Sequence, residues 1–357
     1  MEDNTLQGEE SDDEWFYESI RRYDDLLMYD VQGDIGCATF YDNSKVLLGV
    51  SRSSLHELWL LSVPDKLLLA GRSAGLVKNR DFNLVAAGYT SGSVKKVVRV
   101  GSSVVVAEEG GIHLYSIPQS NNPSDVISLT STLIRGAEGE VALAVSEAGR
   151  VYAGDTLSNL TQLDISSENT HKPIEFPVTF QGSDKISEIK CVGHKVFICS
   201  RCKGSVLILD QRTDSFVQEV QVQKDTSGLW TMDANQDDIV ALASSCGSVS
   251  VHDLRHTHKE IYSHNVGSAH TSSQKVTVHL SPSDPLLSVA GFDKTVEIHD
   301  YLCGESDGKV FCHDGHRGQD VQGIVTHMWH PAQKKLLFSA DDTGKLNAWR
   351  FKLPPNM

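Results

Sequence analysis

Short runs of alternating apolar residues recur along the chain, and each run ends at a polar residue. The run ends are Ser62, Ser116, Asp164, Asp210, Asp253, Asp300 and Arg350, at intervals of 43 to 54 residues. Runs of about four to eight residues that are rich in Val, Ile and Leu and bounded by Ser, Pro, Gly or Asp are typical of β-strands. The pattern therefore predicts seven repeated β units.

Each unit contains three or four predicted strands. In the sixth unit the strands fall at 275–282, 285–292 and 294–300. A unit of this size cannot cover both apolar faces of its own sheet, but seven units packed around an axis cover one another. We therefore expect an all-β, seven-bladed propeller over residues 25–352.

The seventh unit shows three strands and then ends, so its fourth strand must come from elsewhere. The apolar-rich segment that starts at Asp25 precedes the first unit, and as a closing strand it would pair with the open edge. Residues 15–24 are expected to form a short helix or turn leading into that strand. The acidic residues 1–14 are expected to be a disordered tail, and residues 353–357 a C-terminal tail.

Composition and charge argue against several classes of function. The 357 residues include 32 Lys and Arg against 47 Asp and Glu, a formal net charge of −15. Such a chain repels phosphate backbones, so no direct nucleic-acid binding is expected. The sequence has no apolar stretch near the ~20 residues of a membrane span, and its acidic start is unlike a secretory signal. Seven irregularly spaced cysteines favour reduced thiols over a disulfide framework.

The last unit carries residues that resemble WD-repeat propellers. In that family a His, a Ser, a turn Asp and a Trp form a buried hydrogen-bonded set within a blade. The matching residues are His316, Ser339, Asp342 and Trp349 in the last unit and Asp293 in the sixth. The turn position is ambiguous by one residue, because Asp341 directly precedes Asp342.

Four segments of this chain resemble, in the same order along the sequence, segments of one group of proteins within the WD-repeat family. They are 13–31, 80–82, 289–300 and 325–349. The resemblance implies a non-catalytic scaffold without cofactors that supports assembly or stability of the Integrator RNA endonuclease module. The implied partners are the endonuclease subunits, a companion assembly factor and microtubule-associated proteins, with this chain a monomer in the hetero-complex. The implied location is the cytoplasm, with spindle-pole, cytoskeletal and nuclear access, and a role in cell division.

Two other functions stay open beside this one. They are a spindle-pole or microtubule factor that acts independently of Integrator, and a substrate receptor of a cullin-type ubiquitin ligase. For the ligase, Arg212 and Arg255 each follow an Asp by two residues, the spacing at which WD-repeat receptors contact their adaptor. An Arg there can fork onto carboxylate or carbonyl groups, or it can simply pair with a neighbouring blade's turn Asp.

Two further groups of residues have a functional and a structural interpretation. Trp15, Phe16 and Tyr17 are large anchors of the kind found in binding hot spots, or they cover the propeller's own rim. Cys191, His194, Cys199 and Cys202 are zinc-type ligands, yet 195–200 is a predicted strand and Cys is an ordinary buried residue. We expect structural thiols and no metal. No nucleophile elbow, phosphate loop or HExxH motif is present, so no enzyme is expected.

Overall fold

A computed structural model describes most of the chain. The described residues are 12–69, 79–119, 125–136, 140–165, 171–174, 184–221, 228–256, 260–267, 275–303 and 307–353. They form seven four-stranded antiparallel sheets, which are the blades of a propeller. The predicted all-β, seven-bladed fold is confirmed.

Six blades are built from four strands that follow one another along the chain. Blade 1 contains β2 (Asp34–Asp42), β3 (Lys45–Arg52), β4 (Leu55–Ser62) and β5 (Asn83–Tyr89). Blade 2 contains β6 (Val94–Val100), β7 (Ser103–Glu108), β8 (Gly111–Ser116) and β9 (Ser128–Arg135). Blade 3 contains β10 (Ala142–Val145), β11 (Arg150–Gly154), β12 (Thr161–Asp164) and β13 (His171–Pro173).

The second half of the chain continues the same order. Blade 4 contains β14 (Ile186–Val192), β15 (Lys195–Ser200), β16 (Val206–Asp210) and β17 (Ser215–Val220). Blade 5 contains β18 (Trp230–Ala234), β19 (Ile239–Ser244), β20 (Ser248–Asp253) and β21 (Glu260–Asn265). Blade 6 contains β22 (Thr277–Leu280), β23 (Leu286–Ala290), β24 (Val296–Asp300) and β25 (Lys309–His313). Blade 7 joins β26 (Ile324–Trp329), β27 (Leu336–Asp341) and β28 (Lys345–Phe351) to β1 (Tyr23–Asp30).

Helical structure is sparse in the described residues. Helix α1 (Asp12–Arg22) precedes β1, and the one-turn helix α2 (Asp65–Leu68) follows β4. Short 3₁₀ turns lie at Leu157–Asn159 and Leu254–His256. None of the described helices is long and apolar enough to cross a membrane.

The first strands of the blades form the wall of a central channel. Each first strand contacts the first strand of the next blade, and β26 contacts β2 to complete the ring. The apolar core lies between neighbouring blades. Leu47 clusters with Val104 of blade 2, whereas the next residue, Leu48, clusters with Phe338 of blade 7. Consecutive strand residues point to opposite faces, so one strand supplies two interfaces.

The N-terminal segment forms the closing strand of blade 7, as the sequence predicts. β1 runs antiparallel to β28, with Leu26 opposite Trp349 and Tyr29 opposite Leu346. It starts at Tyr23, two residues before the predicted Asp25. Helix α1 likewise starts inside the segment predicted as a tail, because its side chains are anchored on the propeller as described below. The rest of that acidic segment, 1–11, and residues 354–357 lie outside the described residues.

Hydrogen bonds hold the closing strand on blade 7 and connect that blade to the segment after β4 of blade 1. The backbone N–H of Val31 donates to the carbonyl of Gly344 at 3.0 Å. The guanidinium of Arg350 donates to the Asp25 carboxylate at 3.1 Å and to the carbonyl of Leu67 at 2.7 Å. Arg350 thereby connects β28 to the closing strand and to α2.

Gly344 lies where the closed blade 7 meets the chain at Gly33, and there is no room for a side chain at this position. Its φ is +86°, and an added Cβ would lie 2.1 Å from the carbonyl oxygen of Gly33.

We expect Gly344→Ala to lower the free energy of unfolding by several kcal/mol, measured by urea denaturation. Gly149→Ala is the control, since Gly149 has a φ of +78° but no neighbour within 4 Å. It should cost only the ~1–2 kcal/mol of the backbone conformation. Equal losses would show that the close approach to Gly33 does not matter.

Candidate functional site

The residues of the predicted blade 7 set are brought together in the blade interior. His316 Nδ1 lies 2.8 Å from the Asp341 carboxylate, and His316 Nε2 lies 2.8 Å from Ser339 Oγ. Trp349 Nε1 donates to the same Ser339 Oγ at 3.1 Å. All four side chains are buried. Burial alone would raise the pKa of Asp341, but hydrogen bonds from His316 and Thr343 lower it below its ordinary value.

The turn residue of this set is Asp341, so the assignment of Asp342 is corrected. Asp341 is the last residue of β27, and its side chain points into the blade. One residue later the chain faces the other way, and the Asp342 carboxylate accepts the backbone N–H of Gln322 at 3.0 and 3.1 Å.

Asp293 is not part of a buried set either. It is exposed in the β23–β24 turn with a φ of +55°. In blade 6 the buried His299 has its Nδ1 2.9 Å from the hydroxyl of Tyr262 in blade 5 and its Nε2 3.1 Å from the half-buried Glu297. His299 occupies the Trp position of this blade, so its polar network differs from that of blade 7.

Other blades satisfy their buried polar groups with further residue types. In blade 2 the Tyr115 hydroxyl donates to Glu108 at 2.8 Å, and Glu108 also accepts the N–H of Gly92 at 3.0 Å. In blade 5 Ser250 Oγ lies 3.0 Å from His252 Nε2. Sequence reasoning missed the blade 2 set. The available signal was the position of Tyr115, one residue before the polar end of its repeat.

Comparison with known proteins supports the same family. No protein-family profile matches the chain. The chain is 25% identical to the mouse Integrator complex assembly factor WDR73 over 374 residues, which cover 94% of this chain and 97% of the relative. The human protein of the same name is 24% identical over 371 residues, with the same coverage of both chains. The chain is a seven-bladed β-propeller that is similar to these two proteins over nearly its full length.

Of the three aromatic residues predicted as partner anchors, Trp15 is buried. It is 6% exposed, and its indole Nε1 donates to Asp314 at 3.0 Å. Arg22 donates to the other oxygen of Asp314 at 2.9 Å, and Arg317 lies over the Trp15 ring at 5.5 Å. Trp15 therefore fixes α1 to the segment after β25. Tyr17 is 70% exposed, and the side chain of Phe16 lies outside the described residues.

The first residue of the closing strand, Tyr23, contacts the last residue of β25 in blade 6. The hydroxyl of Tyr23 lies 2.8 Å from His313 Nδ1, and the His313 ring stacks on Trp349 with ring centroids 4.3 Å apart. Burial lowers the pKa of His313 well below its ordinary value, so the ring is neutral at physiological pH. The closing strand, blade 6 and blade 7 thus meet at one buried group of Tyr23, His313 and Trp349.

Arg212 and Arg255 lie at equivalent places on adjacent blades. Arg212 donates to both carboxylate oxygens of Asp210, at 2.6 to 3.2 Å. Arg255 does the same with Asp253 at 2.7 and 2.9 Å. Each Arg therefore pairs with the Asp two residues before it and not with the turn of a neighbouring blade. Their side chains remain 68% and 62% exposed.

The four residues considered for zinc are spread along β14, β15 and the adjoining turns. Cys191 is opposite Val196, whereas Cys199 is opposite Glu188, three residues further along the pairing. Burial raises the pKa of both Cys191 and Cys199 to about 12, and metals bind the thiolate. In the part of the chain that the structure describes, no group of three His, Cys, Asp or Glu residues is placed to hold a metal ion.

The central channel contains a belt of paired side chains. Lys96 of blade 2 pairs with Glu188 of blade 4, and Lys190 of blade 4 pairs with Asp233 of blade 5. Asp233 also accepts the backbone N–H of Leu280 in blade 6 at 2.8 Å. The first pair joins blades 2 and 4, which are not adjacent, and the second joins the adjacent blades 4 and 5. Blade 3 lies between blades 2 and 4, and its short first strand, Ala142–Val145, has no polar side chain.

Substituting the two candidate turn residues separates their roles. Asp341 accepts from His316, Thr343 and the N–H of Lys345, so Asp341→Asn leaves buried donors without an acceptor. We expect it to lower the free energy of unfolding by about 2–4 kcal/mol in urea denaturation. Asp342→Asn keeps an acceptor for Gln322 and should cost less than ~1 kcal/mol. A larger loss for Asp342→Asn would contradict the assignment.

The anchoring of α1 predicts opposite outcomes for two neighbouring aromatic residues. Trp15→Ala removes the indole that packs on Asp314 and Arg317, so α1 should detach and its amides should exchange with solvent faster. Tyr17→Ala removes an exposed ring and should leave exchange in α1 unchanged. Hydrogen exchange followed by mass spectrometry over residues 12–22 measures both. Fast exchange of α1 in the unchanged protein would show that the contact is not stable in solution.

Proposed function

We propose that this propeller is a non-catalytic scaffold for protein interactions that supports assembly of the Integrator complex, including its RNA endonuclease module. The observation that carries the proposal is the extent of the similarity to the two Integrator assembly factors. It covers 94% of this chain and 97% of each relative. The similarity therefore extends over the whole ring and is not limited to single repeats, which many unrelated propellers share.

The geometry of the polar groups supports a scaffold over an enzyme. The arrangement closest to a catalytic triad in the described residues is Ser339, His316 and Asp341, and all three side chains are buried in blade 7. A catalytic group has to touch its substrate. Here the Ser339 hydroxyl instead accepts from Trp349 in the blade interior. The set holds the blade together.

The charge supports protein partners. A net charge of −15 opposes contact with RNA and with extended acidic surfaces. We propose that the role in RNA processing is indirect, through the endonuclease subunits and a companion assembly factor. A role at spindle poles would require recruitment by another protein, because the microtubule surface is itself acidic. We propose that the protein is located in the cytoplasm with access to the nucleus.

One observation favours the cullin-ligase alternative. Arg212 and Arg255 are held in the same orientation by their own Asp residues, yet most of each side chain is exposed. Two guanidinium groups on adjacent blades form a repeated feature that an adaptor can bind. This surface is separate from α1 and from the channel, so the alternative can be tested independently.

Affinity purification of the full-length tagged protein tests both functions. We expect the Integrator endonuclease subunits to copurify at about 0.15 M salt, where exposed charges are screened beyond ~8 Å. The double variant Arg212→Ala/Arg255→Ala should recover them equally, since it changes only the rim. Absence of the endonuclease subunits from both samples contradicts the Integrator role. A cullin adaptor that copurifies with the unchanged protein and is lost with the double variant establishes the alternative.

A further inference from the structure

One end of the central channel opens into a cavity of about 570 Å³. We call this opening the upper mouth. Its wall consists mainly of the first residues of the innermost strands, with contributions from all seven blades. Part of the wall is apolar, from Val141, Ile186, Leu229 and Val276. The upper mouth is therefore a concave site with both apolar and charged walls, as binding sites for peptides and small ligands are.

The charged residues of the upper mouth do not balance. Lys96 pairs with Glu188, and Arg201 pairs with Glu140 at 2.6 Å. Lys95 and Lys275 also line the cavity, are exposed, and form no ion pair with any described residue. The remaining acid, Asp342, has both oxygens directed to the Gln322 N–H. Among the described residues that line it, the upper mouth thus has four cations, Lys95, Lys96, Arg201 and Lys275, against three anions, Glu140, Glu188 and Asp342, in a protein of net charge −15.

The opposite end of the channel has the opposite sign. A second cavity of about 700 Å³ lies at the last residues and following turns of β14, β18 and β22. Its charged lining residues are Glu147, Lys190, Asp233, Asp237 and Asp284. Because Lys190 is paired with Asp233, this lower mouth is acidic. The cations of the upper mouth are therefore a local feature and do not follow from the overall composition.

The wall of the upper mouth also contains a buried donor without an acceptor. Trp230 lines the cavity and is 2% exposed, and its indole Nε1 has no hydrogen-bond partner among the described residues. A buried donor without a partner costs free energy.

We propose that the upper mouth binds an acidic segment of the protein partner, in which carboxylates contact Lys95 and Lys275 and an apolar side chain packs on the cavity wall. The inference rests on the proposed function, because it assigns the contact surface for the Integrator partner. The −15 net charge does not prevent this contact. At physiological ionic strength charges are screened beyond ~8 Å, so the nearest lysines dominate the interaction with a carboxylate.

Carbodiimide cross-linking of the copurified complex tests the contact directly. The reagent joins a lysine ε-amine to a carboxylate in contact with it, forming an amide while the carbodiimide becomes a urea. We expect peptides that join Lys95 or Lys275 to an Asp or Glu of an Integrator subunit. Partner cross-links found only at other lysines would overturn the proposal. So would links from Lys95 and Lys275 only to the acidic residues 2, 3, 9 and 10 of this chain.

A charge-reversal variant provides the second measurement. Lys95→Glu/Lys275→Glu should lower recovery of the endonuclease subunits by at least about tenfold, since two attractive contacts become repulsive. Lys66→Glu/Lys334→Glu is the control, because it changes the net charge equally at exposed positions away from the upper mouth. Thermal unfolding of both variants confirms that they are folded.

The outcomes separate this inference from the proposed function. Recovery by the unchanged protein and the control, with loss in the upper-mouth variant, supports both. Equal recovery by all three proteins retains the Integrator role and overturns the upper mouth as the contact. No recovery by the unchanged protein overturns the proposed function and, with it, this inference.

Discussion

The pairing of β1 with β28 is the interaction on which the rest of the structure depends. A propeller blade covers its neighbours only if the ring is complete, and here the last blade obtains its outer strand from the start of the chain. The same pairing places Tyr23 against His313 and aligns Asp25 with Arg350, which in turn reaches α2. Closure therefore joins residues more than 300 positions apart, and a long-range pairing of this kind is gained only when most of the ring has formed.

The blades share a backbone arrangement without sharing a polar network. Blade 7 uses His316, Asp341, Ser339 and Trp349, whereas blade 2 uses Tyr115 and Glu108. What each blade requires is that its buried donors and acceptors are satisfied, and several combinations of residues achieve this. A repeat can therefore lose its consensus residues and keep its place in the ring. This explains why the chain is a regular propeller although most of its repeats depart from the family pattern.

The sequence was sufficient for the strand periodicity and for the closing strand, because period-two alternation and an unpaired sheet edge are local or topological signals. Six of the predicted repeat ends coincide with the ends of third strands, and the seventh strand ends at Phe351, one residue after the predicted Arg350. The side-chain assignments were less predictable. The choice between Asp341 and Asp342 depends on which side of a turn faces the blade, and the burial of Trp15 depends on Asp314, nearly 300 residues away. Neither relation has a local signal.

The net charge of the whole chain does not predict the local charge at the two mouths of the channel. The value of −15 suggests uniform repulsion of acidic partners, yet the channel has lysines at one mouth and carboxylates at the other. Ion pairs lie in the channel between the two mouths. Lys96 and Glu188 neutralise each other at the upper end, and Lys190 and Asp233 do so further along. A segment that enters from one side therefore meets one sign of charge first. Charge placed in this way selects the orientation of a partner as well as its composition.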